Sequence, residues 1–179
     1  MDLFWRSALI ENVLLFKFLG IYLLLGTTGD SARAGRTGLL TGAGILLTAL
    51  GAWVLQHMVL GPLALESLLP WALALLALAV AMMLRKVFLP GKDLWRAQLA
   101  NTAVLGVALL VATQSPDPLS ALLLSLGGAL GLIAVLLLVG GLMEATESHW
   151  IPVPLRGAPI RLITAGLLGL GFMGFRLPL

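Results

Sequence analysis

The sequence holds no cysteine. That absence removes disulfides, thiolate metal sites and cysteine-ligated iron–sulfur clusters from what the chain can build alone. Charge is nearly as scarce: Asp, Glu, Lys and Arg make up 11% of the 179 residues, less than half the usual share. His57 and His149 are the two histidines, and both stand apart from other ligand types, so neither is nominated as a metal site. There is no Walker loop, no nucleotide-binding glycine fingerprint after a strand, and no nucleophile triad. No catalytic residue is therefore nominated, and soluble enzyme chemistry is excluded.

What the chain has in excess is apolar surface. Hydrophobic residues make up 60% of it, and the mean hydropathy is +1.06. Too few polar side chains remain to cover such a core in water, so lipid must solvate most of the molecule. The net charge of +3 does not indicate nucleic acid, because the basic residues are scattered between apolar runs and form no stripe. They read instead as topology signals.

A spanning helix needs about 20 apolar residues at 1.5 Å each. Cutting the chain at its charges leaves six segments, of which the first lies between Arg6 and Asp30 and is interrupted by Glu11 and Lys17. The others run Thr37 to Leu65, Ser67 to Leu84, Ala97 to Pro116, Pro118 to Met143 and Leu162 to Phe175. The last reaches only about 21 Å, so Arg161 and Arg176 must snorkel or the helix must begin earlier. The charges inside the first run, the lack of a basic n-region and the later spans argue against a cleaved signal peptide.

Arg33 and Arg36 follow the first span, Arg85, Lys86, Lys92 and Arg96 the third, and Arg156 and Arg161 the fifth. The connections after the second and fourth hold no basic residue. The positive-inside rule makes the first group cytoplasmic and puts both termini outside. Trp5, Trp71, Trp95 and Trp150 fall near span ends, as an interfacial aromatic belt requires, while Trp53 lies deeper. The expected fold is one all-α polytopic membrane domain over residues 1–179, with halves of about 1–90 and 91–179 that enter the membrane from opposite sides as an inverted repeat. Leu19 to Thr27 can be laid on Leu105 to Thr113 in support of that repeat.

Charges inside a span cost about 2.5 to 3.5 kcal/mol at mid-helix, so they pair, line a cavity or sit near the surface. Lys17 is placed about 16 Å into its helix, near the bilayer centre, by its distance from Arg6. Its functional readings are lining an ion or electron path or binding an acidic group; its structural ones are donating to carbonyls at a broken helix end or pairing with Glu11, which six residues away on one helix would need a break. Glu11, Asn12 and Asn101 share both readings, as parts of a polar path or as hydrogen-bonded joints between helices. Gly38 with Gly42, and Gly127 with Gly131, put small residues on single helix faces, and Gly166, Gly169, Gly171 and Gly174 thin the last span. Close helix packing is the role expected of them. The stretch from Glu144 to Arg161, with Pro152 and Pro154, reads as a stiff segment along the cytoplasmic interface.

Three stretches carry a resemblance: Lys17-Phe18-Leu19-Gly20, Ala103-Val104-Leu105-Gly106-Val107-Ala108-Leu109-Leu110, and Arg156-Gly157 followed by Leu162-Ile163-Thr164-Ala165-Gly166 and Phe172-Met173-Gly174-Phe175. In order and spacing they resemble the RnfA, RsxA and NqrE family over nearly the whole chain. The resemblance implies a six-helix inverted-repeat subunit in the bacterial inner membrane, paired with a sister subunit of opposite topology, RnfE or NqrD, and with other Rnf-type subunits. It implies a complex that couples electron transfer to sodium or proton translocation, in which this chain is not catalytic alone. It also implies an intramembrane iron–sulfur centre shared with the sister, with one cysteine ligand in the first span and one in the fourth. Here those positions are Tyr22 and Thr102. A phenol and an unactivated hydroxyl are poor substitutes for thiolates, so no cofactor is expected on this chain alone. The family's proline after the first cysteine is Leu23 here, which softens the helix break expected at that point. The alternative functions are those of a repurposed transporter or channel subunit, or of a purely structural assembly subunit.

Overall fold

The computed structural model describes residues 31–88, 102–146 and 152–174. The described residues are helical apart from short connections. Helix α1 spans Ser31–Leu55 and runs on without a break into a π-helical turn, Gln56–Leu60. After a turn at Gly61 and a 3-10 turn at Glu66–Leu68 comes α2, Leu69–Phe88. Helices α3, Thr102–Gln114, and α4, Pro118–Thr146, form the next pair. A 3-10 turn at Val153–Leu155 leads into α5, Ala158–Met173.

Two of these helices are long and apolar enough to cross a bilayer: Ala34–Leu60, of 27 residues, and Pro118–Ala145, of 28. Helix α4 has no polar face, and leucines at 119, 122, 130, 137, 138 and 142 remain exposed along it. A helix that is apolar all round suits lipid on the side that its neighbours leave open. Trp71, at the start of α2, is 73% exposed, as a belt residue at a span end should be. Trp5, Trp95 and Trp150 lie outside the described residues.

The central element is α1, which packs most extensively on α4, then on α3 and α2. Ile45 and Ala49 of α1 meet Val104, Val107 and Val111 of α3 and Leu132, Val135, Leu136 and Val139 of α4 in one buried cluster. A second cluster joins Ala52 and Leu60 to Leu69 and Leu73 of α2 and Ala108 and Ala112 of α3. Small residues set the spacing. A Cβ added at Gly42 would stand 2.8 Å from Ile133 Cδ1, and one at Gly38 would stand 3.6 Å from the Ile133 Cα. The Gly38 and Gly42 face therefore packs against α4 as expected. At Gly128 the added atom would meet Val107 of α3 at 3.1 Å. Helix α5 departs from the expectation: Gly169 is buried, but nothing among the described residues lies within 4 Å of a Cβ built at Gly166, Gly171 or Gly174.

Helix ends also differ from the charge-cut spans. The second helix begins at Ser31 and ends at Leu60 rather than Leu65, because Pro62 has no N–H to continue it. The third continues past Leu84 to Phe88, with Lys86 exposed. Charge at a helix end leaves the bilayer without ending the helix. The fifth extends from Met143 to Thr146, so the start of the expected stiff extended segment is helical instead. Further along, Leu155 N–H donates to Pro152 C=O at 2.9 Å and closes a turn. The last helix starts four residues before Leu162, with Pro159 in its first turn. Its N-cap, Gly157, takes φ 87°, a conformation that glycine adopts without cost.

The sequence of α4 specifies its own start. Pro118 opens the helix, where its missing N–H costs nothing. Ser120 Oγ donates to Asp117 C=O at 2.7 Å and accepts from the Asp117 N–H at 3.2 Å. The bond from the Asp117 N–H is the back-reaching half of a capping box, made here by the serine hydroxyl. Two further hydroxyls bond back to their own helix: Ser125 Oγ donates to Leu122 C=O and Thr164 Oγ1 to Ile160 C=O, both at 2.9 Å.

Candidate functional site

One group of polar side chains meets where α1 and α3 end. Trp53 Nε1 donates to the Ser115 carbonyl at 3.0 Å, which ties the last turns of α1 to the chain just beyond α3. The His57 ring stacks on the Trp53 indole, with centroids 4.6 Å apart and planes at 22°. His57 Nδ1 lies 3.1 Å from the Trp53 carbonyl. A carbonyl can only accept, so Nδ1 carries the proton. In the neutral ring this leaves Nε2 as an acceptor.

The π-helical turn produces this arrangement. Its wider bond runs from Gly61 N–H to Gln56 C=O at 2.8 Å. Gln56, His57, Gly61, Pro62, Ala112 and Thr113 then line an open cavity of about 600 Å³. The Gln56 Oε1 atom is buried and has no hydrogen-bond partner among the described residues. Thr113 Oγ1 donates to Leu109 C=O at 2.8 Å, so its lone pairs are free to accept.

A second polar feature lies on the buried face of α1. Thr41 and Thr48 stand two turns apart, at 1% and 0% exposure, and neither hydroxyl has a partner among the described residues. Such groups are costly in an apolar core and draw attention to that helix face.

Of the residues nominated from sequence, Thr102 is the one described. It is exposed and opens α3, about 16 Å along the helix axis from Thr113. Glu11, Asn12, Lys17, Tyr22 and Asn101 lie outside the described residues. His57 stands apart from other ligand types in the sequence, and the fold stacks it on Trp53 and sets it in a cavity wall with Ala112 and Thr113 of α3. Four-residue spacing on one helix is the signal that could have suggested the Trp53–His57 stack. Nothing in the sequence announces the π-helical turn or the approach of α3.

The donor set does not suit a thiolate-held cluster. The chain has no sulfur ligand other than methionine, and among the described residues no three His, Asp or Glu side chains converge. Thr102, which the resemblance puts at a ligand position, is an exposed residue at the start of α3 and brings no thiolate.

Two helices long and apolar enough to cross a bilayer, the second with leucines exposed along it, and tight glycine packing among described residues that are helical, are what an α-helical membrane protein presents. The profile of a known membrane-protein family, described as Rnf-Nqr subunit, matches residues 1–178. The chain belongs to that family. Among its relatives is a protein of Cereibacter sphaeroides named as the A-type subunit of an ion-translocating oxidoreductase complex; it is 36% identical over 179 residues, which cover 94% of this chain and 92% of the relative. Proteins of the same name from Tolumonas auensis, 34% identical over 178 residues, and Vibrio campbellii, 33% over 177, match with the same coverage.

Proposed function

We propose that the chain is the A-type membrane subunit of an ion-translocating oxidoreductase complex of the Rnf type, and that it contributes no iron–sulfur ligands of its own. The observation that carries this reading is similarity over nearly the full length to relatives named as that subunit, in a chain without cysteine. The subunit crosses the bacterial inner membrane six times as two inverted halves of one domain, both termini outside. Two features support that topology. The ends of α1 and α3 meet at one end of the bundle, where Trp53 bonds Ser115, and the short turns there hold Glu66 and Asp117 but no basic residue. Arg36 near the start of α1 and Lys86 near the end of α2 lie toward the other end, as the positive-inside rule asks of a cytoplasmic face.

The chain's work in such a complex is structural and electrostatic. It holds a helix bundle against an RnfE-like or NqrD-like sister and supplies polar groups in a low-dielectric setting. Lys17, Glu11, Asn12 and Asn101 are proposed to line part of the ion route, and any cluster at the subunit interface must take its thiolates from the sister.

The test is ion uptake by the assembled complex in liposomes, with and without a reduced electron donor. Uptake that requires the donor, with substoichiometric iron in the pair formed by this chain and its sister, supports the reading. Uptake that proceeds without a donor and is lost in Lys17→Met favours a repurposed transporter. One iron–sulfur centre per pair, ligated in part by this chain, contradicts the ligand-free proposal.

A further inference from the structure

Helices α1 and α2 run antiparallel from the turn at Gly61, so the start of α1 and the end of α2 share one end of the bundle. Their packing is fixed midway, where a Cβ added at Gly51 would meet Leu76 at 3.1 Å. Counted along the helix axes from that contact, Arg36 lies about 22 Å and Lys86 about 15 Å toward the shared end. The two cations therefore differ by only about 8 Å in height, on helices whose packed axes stand about 8–10 Å apart. Both are exposed.

The faces behind them are apolar. Leu47 follows Arg36 by about three helical turns and Leu75 precedes Lys86 by about three, so each leucine shares a face with its cation and lies about 16 Å deeper. That is about half of the roughly 30 Å of hydrocarbon, the depth of one leaflet. Leu47, Leu75 and Met83 are all exposed. The other sides of the two helices are closed, with Ile45 and Ala49 of α1 and Leu73 and Leu84 of α2 buried in the bundle. Each cation and the wall beneath it thus flank one groove on the outer side of the α1–α2 pair.

Nothing of opposite charge meets these cations. Neither makes an ion pair among the described residues, and the first turn of α1 holds no acidic residue. Glu144 is on α4, which packs on the Gly38 and Gly42 face of α1 rather than on the face that carries Arg36. Two like charges this close repel unless an anion stands between them. A topology signal asks only for charge at this end of the bundle; it does not ask for two cations matched across a groove.

We propose that the groove holds an anionic phospholipid, its phosphate between the Arg36 guanidinium and the Lys86 ammonium and an acyl chain along Leu47, Met83 and Leu75. Arginine takes a phosphate through two parallel N–H bonds, and lysine takes it as a point charge. The leaflet-deep apolar wall commits the site to a lipid rather than to a free anion. Only the choice of the cytoplasmic leaflet rests on the proposed orientation.

The chain has no cysteine, so a bimane fluorophore can be placed at one chosen position. Met82→Cys carries it beside the groove, and Leu130→Cys, on the exposed side of α4 at comparable depth, is the control. The full-length chain is placed in phosphatidylcholine nanodiscs, and quenching by phosphatidylglycerol with brominated acyl chains is compared with quenching by brominated phosphatidylcholine. At Met82 the anionic lipid is expected to quench saturably, at a mole fraction roughly tenfold lower than the neutral one, as two cations near the surface would give. At Leu130 the two lipids should quench alike. Arg36→Gln combined with Lys86→Gln should remove the preference while neutral-lipid quenching at both positions stays the same, which separates loss of the site from loss of folding. Arg36→Lys should keep most of it. No electron transfer enters the measurement, so the site and the proposed function stand or fall separately. Equal quenching by the two lipids at Met82, a preference of the same size at Leu130, or one that survives the double substitution overturns the proposal. So does loss of the preference when the assembled complex replaces the lone chain, because a partner subunit then fills the groove.

Discussion

At Gly42 and Gly171, the same residue type does different work, and substitution separates the two roles. A side chain at Gly42 meets Ile133, so Gly42→Leu forces α1 and α4 apart and is expected to cost about 1–3 kcal/mol. Gly171→Ala enters open space on α5 and should be neutral or stabilising by up to about 1 kcal/mol through helix propensity. Denaturation of the purified chain in mixed detergent micelles measures both. At the bundle end, Trp53→Phe keeps an aromatic ring against His57 but leaves the Ser115 carbonyl without its donor. A loss of about 0.5–1.5 kcal/mol is expected in the same assay. The close-packing role of Gly38 and Gly42 is legible in the sequence, since spacing alone puts them on one face. Spacing cannot separate them from the glycines of α5, because what each helix face meets depends on tertiary placement.

Among the elements, α1 and α4 carry the bundle, and both are apolar enough that burial in protein differs little from burial in lipid. Their association is then a matter of fit rather than of water exclusion. Leu136, fully buried between them, should therefore cost less on truncation than a leucine in a soluble core. For Leu136→Ala the expectation is roughly 1–3 kcal/mol, the cavity share of the roughly 2–5 seen in water. Micellar denaturation again reads it, and a loss above that range would mean that water enters the unfolded helices. The apolar runs and their bounding charges locate both helices, with α4 three residues longer than expected and α1 shifted by six residues at its start and five at its end. Their ends are less legible for local reasons. Pro62 stops α1 early, Asp117 and Ser120 cap α4, and the π-helical turn at Gln56–Leu60 reflects a hydrogen-bond shift that no residue pattern marks. The cavity beside that turn is hidden for the same reason: it depends on α3 meeting the end of α1.

For the whole molecule, absent cysteine has a practical consequence as well as a chemical one. Any single introduced cysteine is unique, so topology can be read without removing others. Asp117→Cys, at the turn before α4, should react with an impermeant maleimide added outside intact cells. Glu144→Cys, near the far end of α4, should react only after the membrane is opened. The opposite pattern would invert the proposed orientation. The same absence narrows the chain's function. Similarity places the chain in a family whose relatives bear an oxidoreductase name, while its own residues offer no thiolate to a metal centre. On the proposed reading, assembly with the other subunits is what this chain must supply. The most direct test is affinity purification of the tagged chain from its own membranes, with quantitative mass spectrometry of what co-elutes. A sister membrane protein, together with the flavin-bearing and iron–sulfur subunits of an Rnf-type complex, is predicted in fixed ratio to this chain. Elution of the chain alone, or with solute-transport components in place of those subunits, would contradict that role.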